Sequence, residues 1–346
     1  MLIKRTATIL FAYLLVQLPL HAAELEPSSI KFRLGMRYNS IFNDELAPQT
    51  GWVQFRATID YALGLVASPA GDFTLRGMAG TGPNYTVSWN SIASSLDSKK
   101  VPDQVFNMRQ IYLQDVIEDW VLQAGIIPPN DGDIPTLGYD VDGWVQGGRV
   151  TAPLGEGNLQ FVTGVIAHIN DPNAFKEWAD WNYFGVKLVQ PLPWWELKGA
   201  LSYEYLGNNG YDYLQDSNYV GAELGRQWKL DEGMNLKAAV EAIHNFSQPS
   251  WAWAAGVALK MKPVTVGLVY TYINPQFGLR GDLSNDYYTD GNRLSVNFGG
   301  DIPGVKSLKW FANTDLSDNH ARFLRIRAGI TYAFGASEPG YLARFN

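Results

Sequence analysis

The sequence contains no cysteine. That removes disulfides, thiolate metal sites and thiol nucleophiles together. Histidine is scarce: beyond the first 23 residues only His168, His244 and His320 remain, with neither a His-x-Ser spacing nor a nucleophile elbow. An enzyme that activates a nucleophile through imidazole has little to draw on. Charge is sparse as well, at 18% of residues, and its balance is acidic, −7 overall, which disfavours nucleic-acid partners. Past residue 23 no long apolar run occurs. Helical membrane spans are thereby excluded, because a bilayer helix needs about 20 such residues.

The one apolar run stands at the start. Lys4 and Arg5 precede Ala7–Leu20, and small residues follow at Ala22 and Ala23. A basic region, an apolar region and a small-residue site read as a secretory signal peptide, residues 1–23, cleaved after Ala22 or Ala23. The charge then becomes −9, since Lys4 and Arg5 leave with it. No composition shift marks a second domain in the rest. Residues 24–334 read as one unit, and 335–346, rich in small and polar residues, as a short periplasmic tail.

What the sequence has in abundance is alternation. Ile30, Phe32, Leu34, Met36 and Tyr38 alternate with Lys31, Arg33, Gly35 and Arg37. Val53, Phe55, Ala57, Ile59 and Tyr61 alternate with Gln54, Arg56, Thr58 and Asp60. The same period runs through Leu324–Phe334, where Leu324, Ile326, Ile330, Tyr332 and Phe334 oppose Arg325, Arg327 and Thr331. Period two with lipid on one side, water on the other and aromatics at the strand ends is the pattern of a transmembrane β-barrel. Strands are expected near 29–39, 51–66, 72–82, 104–116, 119–127, 143–152, 158–169 and 181–190. Eight more follow near 194–206, 217–228, 234–246, 250–261, 263–273, 292–299, 306–315 and 321–334. That is sixteen, an even number as single-chain bacterial barrels require. The alternation leaves the facing of 104–116, 143–152 and 306–315 ambiguous, so 14 or 18 strands stay open. Short links after even-numbered strands and mostly long ones after odd-numbered strands give the same architecture independently. They also place both chain ends in the periplasm.

Two stretches resemble a known family. Arg109-x-x-Tyr112, followed across a tight turn by Gly125 and Pro128, is similar to a hairpin of Gram-negative outer-membrane porins. Arg327-x-Gly329-x-x-Tyr332-x-Phe334 resembles the terminal-strand signal read by the barrel-assembly machinery. The resemblance implies a closed, all-β, antiparallel up-and-down barrel of the general or substrate-selective porin type. It implies outer-membrane lipid and the assembly machinery as partners and a homotrimer as its oligomer, with monomer against trimer left open. No cofactor or metal is expected.

The expected function is a water-filled channel for passive diffusion of small hydrophilic or charged solutes. Lys31, Arg33, Arg37, Arg56, Arg76, Arg325 and Arg327 share the lumen parity and form a basic wall across the closing seam. Arg109 and Arg149 join it if their ambiguous strands turn that way. In general porins the loop corresponding to 128–142 folds inward; here it carries Asp131, Asp133, Asp140 and Asp142. A solvated loop and a calcium site on Asp131 and Asp133 are the alternatives. Glu196, Glu204, Glu223 and Glu241 are expected on an acidic wall roughly opposite. Charged walls are how pores select. A barrel enzyme of lipase or protease type and a loop-displaying adhesin are the competing classes. Trp89, Trp178 and Trp181 are candidates for sugar stacking.

Overall fold

The computed structural model describes residues 28–42, 48–68, 71–83, 85–94, 105–129, 137–140, 142–166, 175, 181–207, 216–284, 290–318 and 323–335. The expected signal peptide and residues 336–346 of the tail lie outside them. β1 (Ser29–Phe42), β2 (Pro48–Ser68) and β3 (Gly71–Thr81) are followed by a short β4 (Asn90–Ser94). Next come β5 (Phe106–Ile117), β6 (Trp120–Ile127), β7 (Val145–Leu154), β8 (Gly157–Val165) and β9 (Tyr183–Leu192). After them run β10 (Leu197–Leu206), β11 (Ser217–Asp231), β12 (Met234–Asn245) and β13 (Ser250–Met261). β14 (Val264–Ile273), β15 (Gly291–Asp301), β16 (Leu308–Ser317) and β17 (Phe323–Gly335) complete the sheet, and a single-turn helix α1 (Leu279–Asp282) stands between β14 and β15.

Sixteen of these strands form a closed antiparallel barrel in which sequence neighbours pair throughout. Closure is made by β1 against β17, from Lys31 opposite Gly335 to Phe42 opposite Leu324. Such closure leaves no open sheet edge, which hydrocarbon cannot solvate. The alternation sets the faces. On β1, Leu34, Met36 and Tyr38 are exposed on the outer surface, while Arg33 and Arg37 turn inward to partners on β2. At the seam the outward rings of Phe32 and Phe334 stack 5.1 Å apart, as their cross-strand register dictates.

β4 is the departure from the expected pattern. It pairs with β2 at Trp52–Phe55, directly beyond the stretch from Thr58 to Ser68 that pairs with β3. β3 and β4 are therefore one wall line, interrupted where 82–83 and 85–89 leave the sheet. Tyr85 and Trp89 within that excursion are buried. The long outer loop expected at 83–103 thus begins inside the barrel.

Two further segments turn inward: one described at 137–140 and 142–144, and the stretch 274–284 that contains α1. Tyr85, Leu137, Tyr139, Trp144, Phe277, Leu279 and Leu283 pack with Tyr112, Ile126, Tyr183, Leu206, Tyr219, Ile243 and Ile273 of the wall. Toward the loop ends of these strands the lumen wall is apolar, where alternation alone would make it polar. Its apolar side chains bury those of the inward segments, which would otherwise drift into water.

Candidate functional site

The polar half of the lumen lies on β15–β17 and β1–β3, and strand register explains its contacts. Arg33 donates to Asp60 Oδ1 at 2.7 Å and to Thr58 Oγ1 at 3.1 Å across the β1–β2 ladder. Arg37 donates to Gln54 Oε1 at 2.8 Å, and its guanidinium lies 4.4 Å from the centre of the Trp89 ring. Arg325 stands opposite Asp315 and reaches Oδ2 at 2.9 Å; Arg327 reaches the same oxygen at 2.9 Å. Ser295 on β15 completes that carboxylate's shell at 2.7 Å. Arg76 and Arg293 are buried among these strands, Lys31 lies near the turn end of β1, and Arg149 donates to Gln123 Oε1 and to the Pro128 carbonyl.

Asp60, Asp315 and Arg293 join this wall without having been expected there as site residues from the sequence. The alternation Arg293-x-Ser295 and Asn313-x-Asp315 carries the signal for two of them, and Asp60 shares the parity of Arg56 on β2.

Arg56 reaches across the lumen to Asp142, with both carboxylate oxygens within 2.8 Å of one guanidinium nitrogen. Burial draws the Asp142 carboxyl upward, but the Arg56 and Arg109 guanidiniums outweigh it and hold the group below the usual carboxylate range. Arg109 owes its place to a β-bulge. The β3–β5 register shifts between Met78 and Ala79, leaving Arg109 unopposed and aimed inward beside Gln110. Its Nη1 donates to the carbonyls of Tyr85 and Asp142 at 3.3 and 3.1 Å, and its Nη2 to Val87 at 2.7 Å. One fully buried guanidinium thus joins the 82–89 excursion to the 137–144 segment. The Tyr85 and Trp144 rings, 5.0 Å apart, pack beside it.

The far end of the 137–144 segment meets β10 and α1. Tyr139 donates to Glu204 Oε2 at 2.8 Å, and Arg280 Nε to the same oxygen at 2.9 Å. The Arg280 guanidinium lies 3.8 Å from the Tyr139 ring centre, and Glu204 and Tyr139 hold it firmly charged against its burial. Asp140 N–H donates to the Leu283 carbonyl at 3.2 Å. Nothing in the local sequence marked Arg280, which sits in a long link without periodicity.

Beyond this joint, Lys187 and Glu223 pair at 2.5 Å beside Glu241 and Ser202, around a small recess of about 20 Å³ that Glu204 and Arg280 also line. Glu241 is buried and its Oε2 has no hydrogen-bond partner. Three of the four carboxylates expected opposite the basic wall therefore share one place. Glu196 does not join them. It caps the turn after the 3-10 segment Pro193–Trp195 in a left-handed conformation, exposed, and pairs with Arg226 on the outside. The alternation ran one residue past the strand into this turn.

Asp131, Asp133, Trp178, His168 and His320 lie outside the described residues. Among the described residues no group of three His, Asp or Glu side chains is placed to hold a metal. His244 stacks on Trp251 with ring centres 4.2 Å apart on the outer face, and Trp181 is 66% exposed at the rim.

No family model matches the chain, and no curated protein matches it in sequence. Its fold is nonetheless that of solved outer-membrane channels. Against Acinetobacter baumannii OccAB3 the TM-score is 0.60 at 12% identity, over 89% of this chain and 99% of that one. Against Pseudomonas aeruginosa OpdK, crystallised with vanillate, it is 0.59 at 12% identity, over 90% and 100%. For the outer membrane protein OprD of Pseudomonas aeruginosa it is 0.53 at 10% identity, over 91% and 96%. The chain shares with these proteins the architecture of a closed antiparallel β-barrel.

Proposed function

We propose that the protein is an outer-membrane channel for small hydrophilic solutes, with a preference for anions such as carboxylates. The observation that carries this reading is the gathering of guanidiniums on β15–β17 and β1–β3, where Arg33, Arg325 and Arg327 are held in place along one wall by Asp60 and Asp315 and Arg56 by Asp142. Inward segments narrow the lumen against these guanidiniums, and low-dielectric walls focus their field onto a passing solute. The carboxylates around Glu241 stand across the lumen and would orient a dipolar solute. The likeness to OpdK with vanillate, itself a carboxylate, points the same way. In this reading both chain ends face the periplasm, a leader is removed on export, and β17 ends in the signal for assembly.

The test is electrical. Purified protein in planar bilayers should give stepwise conductance, and in a salt gradient its reversal potential should favour anions. Arg56→Ala with Arg76→Ala should move that potential toward cations while leaving the fold intact, because lumen substitutions tune selectivity more than stability. Because exposed charges are screened over about 8 Å at physiological salt, the shift should shrink as salt rises. A well-folded double variant with an unchanged potential would remove these arginines from the conducting path. A silent barrel would overturn the channel itself. An enzymatic reading finds no support in His244, which stacks on the outer face away from the lumen carboxylates.

A further inference from the structure

The outer face of β10–β14 carries a groove that conduction does not use. Outward side chains lie in hydrogen-bonded rows: Leu224, Val240, Ala255 and Tyr270 in one, and Arg226, Ala238, Val257 and Leu268 in the next. Alanines 238 and 255 lower the floor between larger neighbours, leaving an open, apolar-lined groove of about 560 Å³.

The groove ends at a charged pair. Arg226 shares the outward parity of Val220 and Leu224, lies 5.0 Å from the Trp228 ring centre and pairs with Glu196. Its Nε is buried without a hydrogen-bond partner, whereas Glu196 is 76% exposed. An arginine on the lipid face is costly at mid-membrane and nearly neutral at the interface. Trp195 and Trp228 beside it mark that interface, where indoles anchor at headgroup level.

We propose that this groove is a phospholipid site. An acyl chain lies over Ala238 and Ala255, and a zwitterionic headgroup places its phosphate on Arg226 and its ammonium on Glu196. The proposal rests on the outer-membrane reading and puts the site on the short-turn rim. Charge complementarity selects the occupant. An anionic headgroup would meet Glu196 unfavourably, and a protein surface would have to desolvate the ion pair. A phosphate–ammonium headgroup satisfies both charges while the pair stays wet.

The full-length mature protein, in nanodiscs of phosphatidylethanolamine and phosphatidylglycerol in equal parts, would be released and weighed by native mass spectrometry. One phosphatidylethanolamine per chain should remain bound. Arg226→Gln should weaken retention about fivefold, the value of one interfacial cation toward lipid phosphate. Glu196→Lys should turn the preference toward phosphatidylglycerol, and Ala255→Phe should abolish retention by filling the floor. These side chains face away from the lumen, so conductance of each variant checks the fold and reports separately on the channel reading. Retention undiminished in Ala255→Phe, retention without headgroup preference, or no retained lipid would each overturn the proposal. So would efficient cross-linking of Ala238→Cys chains into dimers, which would make the groove a contact between copies.

Discussion

Arg109 shows how much a single side chain can decide. Buried arginine is tolerated only where its donors find acceptors, and here the acceptors are main-chain carbonyls on two different inward segments. Removing it strands those carbonyls and unties the segments from each other. Arg109→Gln should cost about 3 kcal/mol of segment stability, the scale for losing a buried charge-assisted contact. Single-channel recordings should then show larger, noisier conductance steps; steps of wild-type size and noise would mean that the clamp does not hold the constriction. Where a strand is regular, Arg33, Arg37, Arg325 and Arg327 meet partners on neighbouring strands and Arg56 meets Asp142. Irregularities are where alternation leaves the facing open, as at Arg109, or misplaces a residue, as at Glu196. The bulge at Arg109 shifts parity within a strand, and Glu196 belongs to a turn, where parity has no meaning.

Among elements, the inward segments that carry Asp142 and Asp282 respond to acid in opposite ways. Asp282 in α1 is pushed up to about 6, first by burial and then by Asp290. The seated loop therefore keeps a proton that a released loop, with an ordinary carboxyl near 3.8, has already lost. Seating should weaken as pH rises from about 4 to about 6 and level off above. Asp142 has the reverse sign: its carboxyl is held low, so its contribution is present above the usual carboxylate range and lost only as pH falls through its lowered value. Hydrogen exchange at Gly281 and Leu283, corrected for intrinsic rates, should speed up across the window from about 4 to about 6, and Asp282→Asn should flatten the dependence. A flat profile in the unsubstituted protein would show that Asp282 titrates normally. Neither the helix nor the excursion at 82–89 was legible beforehand, because their residues are matched to the lumen rather than to a repeating period.

At the level of the whole molecule, closure depends on the β1–β17 seam. Gly329 there faces Arg37 across the ladder, and a Cβ would run into the Met36 carbonyl oxygen and lie 2.7 Å from the Phe311 ring. Gly329→Val should therefore hinder closure even when the protein refolds in detergent without assembly machinery. Loss of the heat-modifiable folded band on electrophoresis would report this packing role. Normal refolding there, with failure only in cells, would assign the glycine to the assembly signal instead. Period-two alternation and the rhythm of short and long links pointed to a closed antiparallel barrel of about sixteen strands, with 14 or 18 left open and three strands of ambiguous facing, because both signals follow from local chain geometry and a two-solvent environment. The filling of the lumen was decided by tertiary structure alone. An ion pair from Arg56 to Asp142, and a tyrosine and an arginine converging on Glu204, join residues far apart in sequence. Such contacts exist only once the barrel has closed around them.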